Sequence, residues 1–480
     1  MKKQQLSQKQ TASKTDKIDL EIFAKNNSYI QYLLKNQKNI LLALLFILIL
    51  IPIVISNSSG NPFLIKSESY YHLTNSQELN FFNPNYLLLN LIQKIIPYKT
   101  MIILPLFLGL ACFLLLQHLL KKFNFSEQFS FFFTLFLIIS PIIILEFSNI
   151  TFNLFFLFFS LLTFYLLSSE KKYRQYLAII PLIFIPFLNT YLSLTFLTII
   201  LIYTISEHQK STKLTSKTII NIFFILFAIL LILINSSLLR QPFFSGPFYS
   251  HAASNLISDL GGYYGISIFL FLLAIFGITI SWKKSNYYLA YFTLPLLIGL
   301  YFGNEAVFIV SLILTFFATV GFLNIFEAKW ENSTLKQFTL LIIILGLSFS
   351  TLSYLNRIND FGPTNNDYNT LVWIKENILS DTIILSAPEN YDSLAYFSQH
   401  HGYISLRDTN SYKNEQFAKI LEAKYTHELF PLLEKNNIDF IYINKKVSLD
   451  QKYQYLLFLL KNERFKMVHS SQDTEIWVFK

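Results

Sequence analysis

Cysteine is almost missing from this chain of 480 residues: Cys112 stands alone, inside an apolar run. No intramolecular disulfide can form, so cysteine usage carries no signal about redox compartment. In that run a lone thiol reads as a small buried hydrophobe. Charge is nearly missing between Ile40 and Leu355 outside short clusters. A bilayer demands such clustering, because a charge at its centre is costly. The apolar runs are continuous and do not alternate with polar residues, which argues against a transmembrane β-barrel. Residues 1–38 are polar, rich in Lys, Gln and Ser, and lack an early apolar stretch. That argues against a cleavable signal peptide. No Walker loop, dinucleotide-binding fingerprint or zinc motif occurs. No internal repeat is found, so the inverted repeats of many transporters are not evident.

What is present is apolar and aromatic. Hydrophobic residues make up 53% of the chain, with 50 Phe and 28 Tyr. They gather in runs suited to helical spans of ~17–25 residues. Eleven spans are expected: Ile40–Ile55, Met101–Leu120, Phe129–Glu146, Ile150–Ser168, Leu177–Leu188, Tyr191–Ile205, Thr218–Leu239, Gly265–Trp282, Tyr287–Phe302, Ala306–Phe326 and Phe338–Tyr354. Several are short, and the fifth and sixth are split at Pro186-Phe187-Leu188-Asn189. With residues 1–38 in the cytoplasm, the interior turns hold Lys121, Lys122, Lys171, Lys172, Arg174, Lys210, Lys213, Lys217, Lys283, Lys284, Lys329 and Lys336. The exterior loops hold Lys66, Lys94, Lys99 and Arg240. Twelve bases against four select this orientation. Merging the fifth and sixth spans would invert everything downstream and break the pattern. The net charge of +9 is therefore a topology signal and not a nucleic-acid footprint.

Three units follow from this reading. Residues 1–38 form a cytoplasmic tail, and residues 39–358 a polytopic membrane domain with long exterior loops at 56–100 and 240–264. Residues 359–480 form a small α/β domain outside the cytoplasm. In that domain Thr382–Ala387, Ile438–Asn444, Phe465–Ser470 and Glu475–Phe479 read as strands. Tyr391–His400, Asn414–Lys424, Glu428–Asn436 and Asp450–Asn462 read as helices.

The candidate chemistry is acidic and sits at the expected outer face. Glu68, in Ser67-Glu68-Ser69-Tyr70-Tyr71-His72-Leu73-Thr74, follows the first span by about a dozen residues. A carboxylate there can accept a proton or hold a divalent cation against a phosphate. On spacing alone it is also an ordinary solvated loop residue among interfacial tyrosines. Glu146 lies at the outer end of the third span, with Asn149 and Asn153 following on the next helix. It is either a helix-end residue or a carboxylate with a dedicated partner. Arg240 ends the seventh span and suits a lipid phosphate or plain interfacial anchoring. Asp259 precedes Gly261-Gly262 in the second long loop, where Asp also favours a helix start. His251, Glu305 and the pair His400-His401 read as loop, cap and helix-end residues.

Glu68 with Tyr70, Tyr71 and His72, just after a first span, resembles the first-loop motif of GT-C glycosyltransferases. The flavour is that of the oligosaccharyltransferase catalytic subunit and its prokaryotic relatives. That motif reads roughly Asp-x-Tyr-Tyr-His-x-Arg. This chain departs from it at Glu68, in place of Asp, and at Thr74, in place of Arg. Asn83-Pro84-Asn85-Tyr86 resembles the family's lead into an amphipathic first-loop helix. The segment from Ser140-Pro141 to Phe155 resembles the turn bearing its second acidic residue. Leu371-Val372-Trp373-Ile374-Lys375-Glu376-Asn377 resembles the start of the family's exterior domain.

The resemblance implies a GT-C-like helical membrane fold and transfer of a sugar from a polyprenyl-phosphate donor to an extracytoplasmic glycan, lipid or protein acceptor. It implies Glu68 as base or metal ligand and Glu146 as a second acidic contact, with Mg or Mn as the metal. Tyr70, Tyr71 and His72 would shape the donor site, Arg240 would meet the phosphate, and Asp259 would meet the acceptor. The family's Trp-Trp-Asp-Tyr-Gly signature is absent, which argues against N-glycosylation of Asn-x-Ser/Thr sites. A transporter or lipid flippase, or a non-catalytic relative, remains the alternative. A transporter normally carries charges in the middle of its spans. Carboxylates of Glu68 and Glu146 within about 10 Å of each other and facing one cavity would favour the enzyme.

Overall fold

The structure is a computed structural model. It describes residues 36–61, 64–77, 83–96, 100–210, 216–238, 256–262, 265–284, 304–358, 362–379, 381–406, 408 and 410–479. Most of the N-terminal tail, Arg240, His251, the ninth expected span Tyr287–Phe302 and the side chain of Glu305 lie outside the described residues.

The apolar runs fold as helices, as their length requires in a medium without water. The first is α1 (Gln37–Ser58), followed by two short helices in the first long loop, α2 (Ser67–Gln77) and α3 (Pro84–Ile95). The bundle continues with α4 (Ile103–Lys122), α5 (Glu127–Ile139), α6 (Pro141–Phe147) and α7 (Phe152–Leu167). Next come α8 (Lys172–Leu177), α9 (Ile179–Phe184), α10 (Thr190–Lys210) and α11 (Ser216–Leu238). It closes with α12 (Ile268–Lys284), α13 (Asn304–Glu327) and α14 (Ser333–Arg357).

Among the described residues, α1, α4, α13 and α14 are each long and apolar enough to cross a membrane alone. The expected span Phe129–Glu146 is not one straight helix. It is α5 and α6, bent by 69° where Ser140 precedes Pro141. Proline disfavours helical backbone in the residue before it, and Ser140 is extended at φ −68° and ψ 127°. Leu177–Leu188 is likewise broken, into α9 and a 3-10 turn at Ile185–Phe187. Shorter apolar stretches occupy Phe152–Leu167, Tyr191–Ile205, Asn221–Ile234 and Ile268–Trp282.

The break before α10 leaves backbone carbonyls without helical partners. The first-loop segment at Asn83-Pro84-Asn85 supplies them. The Asn85 side-chain amide donates to the Phe184 carbonyl and that of Asn83 to the Phe187 carbonyl, each at 3.0 Å. Ser193 Oγ donates to the Ile185 carbonyl. Polar side chains thus satisfy a broken helix where water cannot.

The C-terminal residues form α15 (Asn365–Asn377), β1 (Ile383–Leu385), α16 (Tyr391–Ser398), β2 (His401–Gly402), α17 (Ser411–Glu422), α18 (Thr426–Lys435), β3 (Ile438–Ile443), α19 (Lys445–Leu449), α20 (Gln454–Leu459), β4 (Phe465–Ser471) and β5 (Thr474–Phe479). The sheet order is β2-β1-β3-β5-β4. β1 runs parallel to β2 and β3, whereas β5 is antiparallel to β3 and β4. Successive residues of a strand face opposite sides, so Ile441 and Ile443 join one core and Tyr442 another. The core holding Ile384, Leu394, Phe397, Tyr442 and Ile476 is continuous with that of the helical bundle. The sheet is therefore fastened to the membrane domain through one of its faces.

Two glycines set the closest approach in the bundle. A Cβ on Gly277 of α12 would lie 1.9 Å from the Phe317 carbonyl oxygen, and one on Gly321 of α13 would lie 2.2 Å from that of Leu273. Small residues let apolar helices pack backbone to backbone. Gly277→Ala and Gly321→Ala are each expected to cost about 1–3 kcal/mol by overpacking. Thermal unfolding in detergent checks this; midpoints equal to wild type for both would mean that α12 and α13 do not touch.

Candidate active site

The bend at Ser140-Pro141 sends α6 back into the bundle, and residues 141–151 are all buried. α6 ends in Glu146-Phe147, and Thr151 starts α7 by accepting the Leu154 amide on its Oγ1 at 3.2 Å. The same hydroxyl donates to Glu146 Oε2. Asn153 Nδ2 donates to Glu146 Oε1 at 3.3 Å. Asn149 sits in the turn between the two helices and not on α7, so its side chain is free to bridge segments. Its amide donates to the Leu145 carbonyl, and its Oδ1 accepts the Lys66 backbone amide at 2.8 Å. Ser69 Oγ accepts the Ile150 amide at 3.1 Å. These bonds lay the start of α2 against the bend.

This docking brings one ammonium to two carboxylates. Lys66 Nζ lies 3.4 Å from Glu146 Oε1 and bonds directly to Glu68 Oε2. Sharing one nitrogen, the two carboxylates are no more than about 7 Å apart, the sum of two long hydrogen bonds. His72, one helical turn after Glu68, places Nε2 3.4 Å from Glu68 Oε1. The Tyr86 hydroxyl lies 3.5 Å from His72 Nδ1. The arrangement is satisfied when that hydroxyl donates to Nδ1 and Nε2–H donates to the carboxylate. The imidazole also stacks on Phe152 at 4.0 Å between ring centroids.

Access separates the two acids. The Glu68 side chain is 24% exposed and that of Glu146 is 0% exposed. Both carboxylates have both oxygens engaged, and Glu68 is the more open of the two. Glu146 is fully buried, and its position makes it an anchor for Lys66. Tyr70 is also fully buried. It donates to the Leu64 carbonyl at 2.6 Å and packs its ring on Tyr396 and Phe397 of α16. Its contacts place it in the joint with the C-terminal domain. Tyr71 is half-buried and meets the His72 ring edge-on at 5.3 Å.

Asp259 is held by structure. Its carboxylate accepts the Ile268 amide at 2.8 Å at the start of α12 and the Ser350 hydroxyl of α14 at 2.5 Å. Arg240 lies outside the described residues. His400 is buried just past the end of α16, with its ring nitrogens 2.7 Å and 2.9 Å from the Ser398 and Leu379 carbonyl oxygens, whereas His401 is exposed on β2. They do not converge as a metal pair.

The expected divalent metal does not fit this arrangement. The Lys66 ammonium occupies the space between the two carboxylates. The described residues contain no group of three or more His, Cys, Asp and Glu side chains able to hold a metal ion. Mg and Mn favour about six oxygen ligands. Lys66 and Thr151 had no candidate role in the sequence reading. The available signal for Lys66 was its spacing: a lysine two residues before a glutamate, the two charges of residues 56–77 apart from His72.

No protein-family model matches the sequence, and no curated protein matches it either. Solved structures do. An apo crystal structure of the Archaeoglobus fulgidus oligosaccharyltransferase matches with a TM-score of 0.55 and 11% identity, covering 85% of this chain and 70% of that one. The chain shares the GT-C glycosyltransferase fold. The archaeal enzyme AglB with an inhibitory peptide and a dolichol-phosphate matches with a TM-score of 0.55 and 12% identity, covering 93% of this chain and 75% of that one. Its complex with Zn and sulfate matches with a TM-score of 0.54 and 13% identity, covering 91% and 73%.

Lys66→Met would leave the fully buried Glu146 carboxylate facing a methyl group. Breaking a buried pair on one side costs about 3–5 kcal/mol. The double variant Lys66→Met/Glu146→Gln is expected to recover much of that loss. Denaturation of the three proteins in detergent measures it; a double variant no more stable than Lys66→Met would mean that the pair is not coupled.

Proposed function

We propose that the protein is an integral membrane glycosyltransferase that moves a sugar from a polyprenyl-phosphate donor to an acceptor outside the cytoplasm. The observation that carries this reading is the convergence of Glu68, Lys66 and His72 with Glu146 on one site, in a chain with the GT-C fold. The related archaeal enzyme has been solved with a dolichol-phosphate and, separately, with a tethered acceptor peptide. A donor of that class suits a helical bundle, since its lipid tail stays in the bilayer and its head group must be met at the surface.

Glu68 is the base in this reading. It is the exposed carboxylate, and a positioned base must reach the proton it removes. The acceptor hydroxyl attacks the anomeric carbon, and the new bond to that carbon forms as the bond to the phosphate oxygen breaks. The electron pair leaves on the phosphate, and the acceptor proton passes to Glu68. His72 holds Glu68 Oε1, and Tyr86 holds His72 in turn. Glu146, Thr151 and Asn153 fix Lys66 behind them. The sidedness needed is that of the lysine-rich turns, with the site on the opposite face.

A flippase or transporter shares the requirement for a lipid substrate but needs no base. Transfer from radiolabelled polyprenyl-phosphate sugars in membranes tests the two readings together. Loss of a positioned base is expected to slow transfer by about 10²–10⁴-fold in Glu68→Gln. Equal transfer by wild type and variant removes Glu68 from the mechanism. Lipid movement across vesicles without any transfer supports the transporter instead.

A further inference from the structure

We propose that Lys66 takes the place of a divalent cation in this site, so that its two carboxylates work without a metal. The inference rests on the glycosyltransferase reading for its meaning, but on the geometry alone for its content. Glu68 from α2 and Glu146 from α6 belong to segments far apart in sequence, and both bond the same Lys66 nitrogen. A bridging metal ion would connect the same two groups.

The lysine is built into that position. Its side chain is 9% exposed. Its backbone amide is fixed to Asn149 Oδ1, within the same turn that follows Glu146. The two ends of Lys66 are thus tied to one bend, by a neutral bond at the amide and a charged one at the ammonium. For a divalent ion to enter, the ammonium must leave both carboxylates. The space behind it is lined by the buried run 141–151, whose only acid is Glu146. Withdrawing a buried cation from its partners is strongly unfavourable.

The remaining donors are also committed. Glu146 Oε2 takes the Thr151 hydroxyl, Glu146 Oε1 takes Asn153, and Glu68 Oε1 faces His72. A hard divalent ion keeps its affinity through several oxygen ligands at once, and with the Lys66 ammonium in place these carboxylates offer few. The Lys66 ammonium supplies a compact positive charge on a four-carbon stem between the two carboxylates. Lys66 acts here as a positioning residue: it holds Glu68 in place and sets the local charge that the phosphate group of the donor meets.

Mn2+ binding by the purified full-length protein in detergent, followed by electron paramagnetic resonance without any sugar donor, tests the proposal. Wild type is expected to show no saturable site. Lys66→Ala is expected to gain one, through the vacated carboxylates, and Lys66→Ala/Glu68→Gln to lose it again. A chelator is expected to leave wild-type transfer undiminished while abolishing the Mn2+ signal of Lys66→Ala. Saturable binding by wild type that Glu68→Gln removes overturns the proposal, and so does a Lys66→Ala protein that folds but gains no site. If Lys66→Ala does not fold, the wild-type and Glu68→Gln titrations decide alone. Because binding is read without donor or acceptor, its outcome stands apart from whether the chain transfers sugar.

Discussion

Glu146 is a carboxylate closed off from water, and its cation comes from 80 residues earlier in the chain. Burial of such a charge is tolerated only when an opposite charge and hydrogen-bond donors meet it together. Lys66, Thr151 and Asn153 do so, and each has a second reason to be where it is. Thr151 begins α7, Asn153 rides on its first turn, and Lys66 is pinned by its backbone to Asn149. Folding the first long loop onto the bend after α5 is therefore a condition for the bundle to close at all. The orientation of α2, and with it that of Glu68 and His72, follows from satisfying one buried group.

The other side of α2 meets the C-terminal domain. Tyr70 fills the joint between Leu64 and the rings of Tyr396 and Phe397. Gly362 comes so close to the Ile65 carbonyl that a Cβ would stand 2.0 Å from it, and Lys446 donates to the Gly362 carbonyl at 3.2 Å. Asn61 caps the backbone of Asn365. The short helix bearing the motif is thus held between the bend after α5 and the C-terminal domain, which suits a site that must be rigid on one side and open on another.

Much of this was legible in the sequence, and the failures have physical causes. Strands at Ile438–Ile443 and Thr474–Phe479 were marked by apolar and β-branched runs bounded by polar residues. The two-residue β2 carries too little pattern to read. The α2 segment is nearly all polar and gives no apolar period; its helix is set by Tyr70, Leu73 and the Ser69–Asn149 contacts, which only the fold supplies. The third span was read through Pro141 because its apolar residues do not change there, although the proline itself signalled the bend. Glu68 and Glu146 were noticed as isolated acids. Lys66 was counted only as one of few bases on its side of the membrane, because a sequence shows charge balance along the chain and not across it.

The amides of Asn83 and Asn85 give α3 a further property. They close two carbonyl groups left open where an apolar helix is interrupted. Lifting α3 away would cost both hydrogen bonds, at about 0.5–1.5 kcal/mol each. This amphipathic segment is therefore pinned to the bundle by its first turn, as a fixed wall and not as a hinged cover.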